Sequence, residues 1–327
     1  MDTKQLTRWL ATTDKKRLLR WLAIATGLLL MAVMIYTFDY QRPAPSPTSS
    51  SAILPTVTRM QDDVGEEIYD LIFTGVTSQP DTFAFDGEWT LALLDRATQS
   101  LLTVDLQHKS FAKLPPLPDN KPISALTFDD HDLVAWSDGL YRYQNQQQTW
   151  QALTPAITLP APVQHLAQFG DSFYVVGPDL LYKINFDKHG QYLDHTNWLD
   201  EKQSALGSPS SILIDGYIYL ALPDGRLLRY ARGQRTAWSP STSWSEAAIL
   251  AGDGDYIFAL LPQQAQLLII DDTGQVVNRI QADWLANARF LWWSAPDESW
   301  GTMVGGKIYR LPRPTLPSTS TTDNPDL

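Results

Sequence analysis

The sequence contains no cysteine among its 327 residues. This absence excludes disulfide scaffolds, thiol nucleophiles, thiolate zinc sites, iron–sulfur clusters and a lipid-modified N-terminal cysteine. Basic residues are also scarce, because 25 Lys and Arg face 36 Asp and Glu, for a net charge of −11. Broad binding to nucleic acid needs a basic surface. We therefore expect no nucleic-acid partner.

Known catalytic signatures are absent as well. The five histidines show no helical zinc-binding spacing, and the chain has no nucleophile elbow, phosphate-binding glycine loop or dinucleotide fingerprint. Asp130 and His131 are adjacent, so on a regular strand they would point to opposite faces, and a surface hairpin is the favoured interpretation. The sequence predicts no catalytic residue, metal or cofactor. A folded domain can still assemble a site from loops that are far apart in the sequence, so an enzyme is disfavoured and stays an alternative.

The amino-terminal region predicts a membrane anchor. Residues 21–38 read WLAIATGLLLMAVMIYTF, an uncharged run close to the length that spans a bilayer. The preceding segment, 1–20, carries six basic residues and two acidic ones, so the positive-inside rule predicts a cytoplasmic N-terminus and an exported remainder. A cleaved signal peptide is the rival interpretation. The length of the run and its aromatic end, Tyr36 to Tyr40, favour an uncleaved signal anchor.

Two segments have the composition of extended, unstructured chain. Residues 39–66 include QRPAPSPTSSSAILP, where Pro and Ser alternate almost without charge, and this predicts a stalk. Residues 314–327 share the Pro/Ser/Thr bias and predict a disordered tail. The folded domain is therefore expected over 67–313.

A short apolar segment with a basic residue recurs along this domain. Its starting positions are 140, 181, 228, 268 and 308, which are spaced 40 to 47 residues apart. This period is typical of propeller blades. The four clearest copies are Leu140–Tyr143, Leu181–Ile184, Leu227–Tyr230 and Ile308–Leu311.

The surroundings of each copy complete a four-stranded unit. A second apolar strand precedes each copy, usually across a Gly/Asp turn, and further strands lie before and after the pair. Six such repeats without a long amphipathic helix predict an all-β, six-bladed β-propeller. The last repeat lacks a fourth strand, so we predict that Glu67–Val76 completes it and closes the ring. A β-sandwich with a smaller module is the alternative.

The segments DGLYRYQNQQQTW (Asp138–Trp150) and DGRLLRYARGQRTAW (Asp224–Trp238) resemble blade repeats of the kelch-like, NHL-like and sensor-type propellers. The resemblance covers about 67–312. It implies a blade architecture and no particular chemistry, and neither the Trp-Asp dipeptide of WD40 blades nor a calcium signature of six-bladed hydrolases is recognisable.

Six residues are candidate contacts for a ligand or partner. The basic ones share one position of an inner strand, where they either form a cationic funnel in the channel for an anionic ligand or cover apolar surface and pair with Asp. The tryptophans near repeat ends either bind a ligand at the rim or wedge between blades. These residues are Arg142, Lys183, Arg229, Arg310, Trp150 and Trp238.

The turns between first and second strands are acidic in every repeat, for example Asp86-Gly87-Glu88 and Asp253-Gly254-Asp255. A ring of carboxylates could bind Ca²⁺ or a basic partner, but Asp and Gly are also what hairpin turns require. Together these features predict a membrane-anchored, extracytoplasmic propeller that serves as a protein-binding or scaffold subunit of an envelope complex. The alternatives are a hydrolase or lyase with its site at the channel mouth, and a ligand-sensing ectodomain.

Overall fold

The computed structural model describes residues 56–59, 66–70, 80–199, 207–304 and 306–313. The predicted membrane anchor at 21–38 and the predicted tail at 314–327 lie outside these ranges. Within them, no helix is long and apolar enough to cross a bilayer.

Twenty-five strands and three short 3-10 helices make up the described part of the chain. The helices are Pro118–Asn120, Pro262–Gln264 and Asp283–Asn287. The strands are β1 Thr56–Arg59, β2 Glu66–Asp70, β3 Thr82–Phe85, β4 Thr90–Asp95, β5 Ser100–Asp105, β6 Ser110–Lys113, β7 Ala125–Asp129, β8 Asp132–Trp136, β9 Leu140–Gln144, β10 Thr149–Ala152, β11 His165–Phe169, β12 Ser172–Gly177, β13 Leu180–Phe186, β14 Tyr192–Asn197, β15 Ser211–Ile214, β16 Ile218–Ala221, β17 Leu227–Ala231, β18 Gln234–Arg235, β19 Ile249–Gly252, β20 Tyr256–Leu261, β21 Gln266–Asp271, β22 Val276–Gln281, β23 Ala288–Ser294, β24 Ser299–Val304 and β25 Lys307–Pro312.

These strands form six separate sheets, antiparallel except for one parallel pair in blade 5, which are the blades of a six-bladed propeller. Blades 1 to 4 are β3–β6, β7–β10, β11–β14 and β15–β18. Blade 5 is β19–β22, and blade 6 contains β23–β25. The predicted fold is confirmed, and the β-sandwich alternative is wrong because no two sheets provide all the strands.

The ring closes through an amino-terminal strand, as predicted. Strand β2 pairs antiparallel with β25, with Glu66 opposite Arg310 and Asp70 opposite Lys307, and so supplies the fourth strand of blade 6. Its described extent is Glu66–Asp70, and 71–76 lies outside the described residues. Strand β1 pairs in parallel with β22 as a fifth strand of blade 5, which the sequence did not predict. Both β1 and Glu66 fall within 39–66, the range predicted as stalk.

The core lies between neighbouring blades. The second strand of each blade has a sheet neighbour on both sides and blade neighbours above and below, so its side chains are almost all apolar and buried. In β20, YIFALL, all six residues are buried. By contrast, the outermost strand of blade 1, β6, is exposed throughout. One inter-blade cluster joins Leu94 and Leu101 of blade 1 to Leu126 and Leu133 of blade 2.

The topology gives the ring two different ends. First strands line the central channel and run in one direction, so all turns from first to second strand lie at one end, together with the turns from third to fourth strand. We call this the turn end. The opposite end holds the turns from second to third strand and the connections from each blade to the next. We call it the connection end.

Candidate functional site

The four basic residues lie on third strands, away from the channel that the first strands line. Arg142 of β9 donates a hydrogen bond from Nη2 to Asp129 Oδ2, and its Nε lies 3.7 Å from Asp132 Oδ2. Arg310 Nη1 of β25 donates to Asp297 Oδ2 at 2.8 Å. These two arginines therefore pair with Asp and do not form a cationic funnel in the channel. Lys183 occupies the equivalent place on β13.

The two candidate tryptophans both anchor to a neighbouring segment through the indole. Trp150 is buried, its Nε1 donates to Pro115 O at 2.9 Å, and its ring lies 5.2 Å from that of Tyr143. Trp238 of blade 4 is half-buried, and its Nε1 donates to Asp272 O of blade 5 at 2.9 Å. Trp150 therefore wedges between blades, whereas part of Trp238 faces solvent.

Arg229 and Trp238 are the two candidates that the structure brings together. The Arg229 guanidinium lies 4.5 Å from the Tyr217 ring centroid and 5.1 Å from that of Trp238. Its Nη1 also donates to Asp272 O at 3.1 Å, so the charged group is held in one place. Tyr219 lies against Trp238, and burial, with the nearby charge of Asp215, raises the pKa of Tyr219 to about 12.

The acidic turns act mainly as turn caps. Asp86 Oδ1 accepts the backbone N–H groups of Glu88, Trp89 and Thr90, each at 2.9 Å. Asp253 Oδ1 likewise accepts the N–H of Tyr256 at 2.8 Å. No group of three His, Cys, Asp or Glu in the described ranges could hold a metal ion. The turn interpretation of these carboxylates is therefore the one that the geometry supports.

Two exposed aromatic residues at the turn end were not predicted as site residues. Phe169 is 44% exposed and Tyr217 is 41% exposed. Each adjoins the glycine of a first-to-second-strand turn, Phe169 in blade 3 and Tyr217 in blade 4. In blades 1 and 5 both residues that flank the turn glycine are acidic, whereas in blades 3 and 4 one flanking residue is aromatic and the other is Asp. The aromatic residue on one side of the glycine was visible in the sequence.

The mouth of the channel at the connection end has a different character. A cavity of about 390 Å³ there is lined by polar side chains from several blades, among them Asp81, Arg96, Gln164, His165, Ser208 and Arg289. His165 Nε2 lies 2.9 Å from Pro209 O. Because a carbonyl only accepts, Nε2 carries the proton. Burial lowers the pKa of His165 despite this bond, so the ring is neutral at pH 7.

Comparisons with known proteins support the fold and go no further. No family model and no curated protein matches the chain. Among solved structures, a streptogramin B lyase is similar at a TM-score of 0.54 and 11% identity, over 77% of this chain and 97% of that one. The WD40 propeller domain of Doa1 gives 0.52 at 9% identity, over 75% and 95%. U3-55K gives 0.51 at 15% identity, over 73% and 82%. At such identities the likeness shows the β-propeller fold alone.

Proposed function

We propose that this chain is a membrane-anchored, extracytoplasmic scaffold protein that binds another protein of an envelope complex through the turn end of blades 3 and 4. The observation that carries the proposal is the pair of exposed aromatic rings, Phe169 and Tyr217, on equivalent turns of adjacent blades. Aromatic residues and Arg are enriched at the energetic centres of protein interfaces.

The surroundings of Tyr217 support a preorganised contact. Arg229 lies over its ring, and the guanidinium is held by Asp272 O and by Thr236 Oγ1, the latter at 3.2 Å from Nε. A side chain that is already immobilised loses little conformational entropy on binding. The acidic turns around this surface favour a partner with a neutral or basic contact face.

Membrane anchoring rests on the apolar run 21–38 and its basic flank. Because the chain has no cysteine, a single introduced cysteine is the only thiol that a maleimide can label. We expect a membrane-impermeant maleimide to label Ser110→Cys in intact cells, since Ser110 is exposed on β6, and to label Thr3→Cys only after lysis. The reverse pattern would overturn the proposed topology.

Binding is tested by affinity capture of the full chain from detergent-solubilised native membranes. We expect Phe169→Ala and Tyr217→Ala each to lower recovery of a stoichiometric protein partner by about tenfold or more, the scale of an interface hot spot. Phe111→Ala and Leu193→Ala are matched controls, because these side chains are 65% and 59% exposed but lie on outer strands. Equal losses from all four variants would contradict the proposed surface.

A further inference from the structure

The channel mouth at the connection end combines cationic groups on one side with neutral hydrogen-bonding groups on the other. Arg96 belongs to blade 1 and Arg289 to blade 6, which are neighbours in the ring. Gln164 and His165 belong to blade 3, and Ser208 precedes blade 4, across the channel from blades 6 and 1. We infer that this mouth binds a small anionic sugar, with its carboxylate or phosphate on the arginines and its hydroxyl groups on the opposite side.

Arg96 is positioned but keeps hydrogen-bonding capacity. Its Nε donates to Asp81 Oδ1 at 3.1 Å, and its backbone N–H reaches the same oxygen at 3.4 Å. No residue in the described ranges accepts a hydrogen bond from its Nη1 or Nη2. Two such nitrogens present the paired N–H groups that bind carboxylate or phosphate in a bidentate manner.

Arg289 is placed at the mouth by a backbone irregularity. In β23, Ala288 pairs with Val304 and Leu291 with Thr302, so one extra residue lies between these pairs. Such a β-bulge redirects side chains, and bulges are frequent beside functional sites. The guanidinium of Arg289 forms no hydrogen bond or ion pair with any residue that the structure describes. The guanidinium is therefore available to a ligand.

The opposite side can recognise hydroxyl groups. His165 has its proton on Nε2, which leaves Nδ1 as an acceptor. Gln164 Oε1 accepts from Ser208 Oγ at 2.8 Å, which leaves the amide nitrogen as a donor. A hydroxyl group both donates and accepts, so it matches this pair of groups, whereas a purely apolar ligand would leave them unsatisfied.

Charge and size agree with this ligand class. Two guanidinium groups face one carboxylate, that of Asp81, so the mouth is locally cationic in a chain of net charge −11. The cavity volume, about 390 Å³, lies within the range of small-molecule sites. This inference concerns the end of the ring opposite the proposed protein contact and does not depend on that proposal.

Isothermal titration calorimetry of the purified full chain in detergent tests the inference. The probes are D-glucuronate, D-glucose 6-phosphate, D-glucose and inorganic phosphate. We expect at least one sugar anion to bind more tightly than both D-glucose and inorganic phosphate, and the two sugar anions to show which charged group is preferred. Binding of neither sugar anion, or binding of both no tighter than that of D-glucose or of inorganic phosphate, would overturn the inference.

The decisive variant is Arg289→Gln, because this exposed side chain contributes no ion pair within the described structure. We expect it to weaken binding of the sugar anion by about tenfold to a hundredfold, as for loss of a charged hydrogen bond. Arg289→Lys should restore only part of the affinity, since an ammonium group is not bidentate. Arg226→Gln is the matched control, an exposed arginine at the same end outside the cavity. Equal affinities of Arg289→Gln and Arg226→Gln would refute the site.

Discussion

The two ends of the ring differ in how closely their turns pack. At the connection end, a Cβ on a glycine in or next to a second-to-third-strand turn would meet the backbone of the adjacent connection. Such a Cβ would lie 2.2 Å from Pro162 O at Gly177 and 2.1 Å from Trp244 O at Gly225. At the turn end, the glycines of the first-to-second-strand turns have no other atom within 4 Å of that position. These are Gly87, Gly170, Gly216 and Gly254.

This difference separates the parts of the ring that hold it together from those that are free to bind. The connection end joins consecutive blades, so its turns are constrained by packing. At the turn end the glycines have open space around them, and the contacts between blades are fewer and specific, as where the Ala295 N–H of blade 6 donates to Gly87 O of blade 1 at 3.1 Å. The proposed protein contact lies on the open turns, whereas the inferred ligand site lies within the packed end.

The largest loss of stability is expected when the ring can no longer close, because both ends depend on the closed ring. A chain lacking residues 1–72 has no β2, which exposes the edge of β25 and opens the ring. We expect loss of cooperative thermal unfolding and aggregation. A chain lacking residues 1–60 loses β1 but keeps β2, and should still unfold cooperatively. Cooperative unfolding of the shorter chain, followed by circular dichroism, would show that β2 does not close the ring.

Glycine substitutions test the difference in packing directly. Gly177→Ala at the connection end should lower the free energy of unfolding by about 3 kcal/mol, because the new methyl group overlaps Pro162 O. Gly216→Ala at the turn end meets no atom, and its positive φ of 105° should cost about 1 kcal/mol. Urea unfolding of both variants measures the two costs. The comparison fails if Gly216→Ala is the more damaging change.

His165 at the connection end should make the stability of the folded chain depend on pH. Because burial lowers the pKa of His165 in the folded state, the unfolded chain binds a proton first as the pH falls below 6.5. The free energy of unfolding should therefore decrease as the pH falls below this value. His165→Gln should reduce that dependence, as measured by urea unfolding at a series of pH values. A pH profile identical to that of the unsubstituted chain would contradict the neutral state of His165 in the folded chain.

The smallest effect is expected from an ion pair at the turn end. Arg142 is 33% exposed and its partner Asp129 is 28% exposed. Arg142→Gln should lower the free energy of unfolding by about 1 kcal/mol or less, and less again in high salt. Urea unfolding at two salt concentrations measures this. A loss several times larger would mean that the pair determines the geometry of the turn.

The blade repeats could be predicted because burial imposes a pattern on the second and third strands of every blade. Strand β2 could be predicted from the missing fourth strand of the last repeat. Strand β1 could not, since its four residues pair with β22 through backbone hydrogen bonds that leave no periodic pattern.

The candidate site was less accessible from the sequence. The sequence showed that the basic residues share one position of their strands. Whether such a side chain enters the channel or pairs with an Asp depends on which face of the strand it occupies. Trp150 and Trp238 hold similar places in their repeats, yet β18 of blade 4 has only two residues, which leaves Trp238 partly exposed. Arg289 was missed because a β-bulge is a feature of the backbone register and not of residue type.

Photo-cross-linking in native membranes tests the central claim, that a partner protein binds the turn end. A photo-reactive phenylalanine analogue is placed at Phe169 at the turn end or at Arg226 at the connection end, in the full chain. We expect position 169 to give a discrete cross-linked protein that position 226 does not give. A cross-linked protein from position 226 with none from position 169 would place the partner at the connection end and contradict the proposed contact.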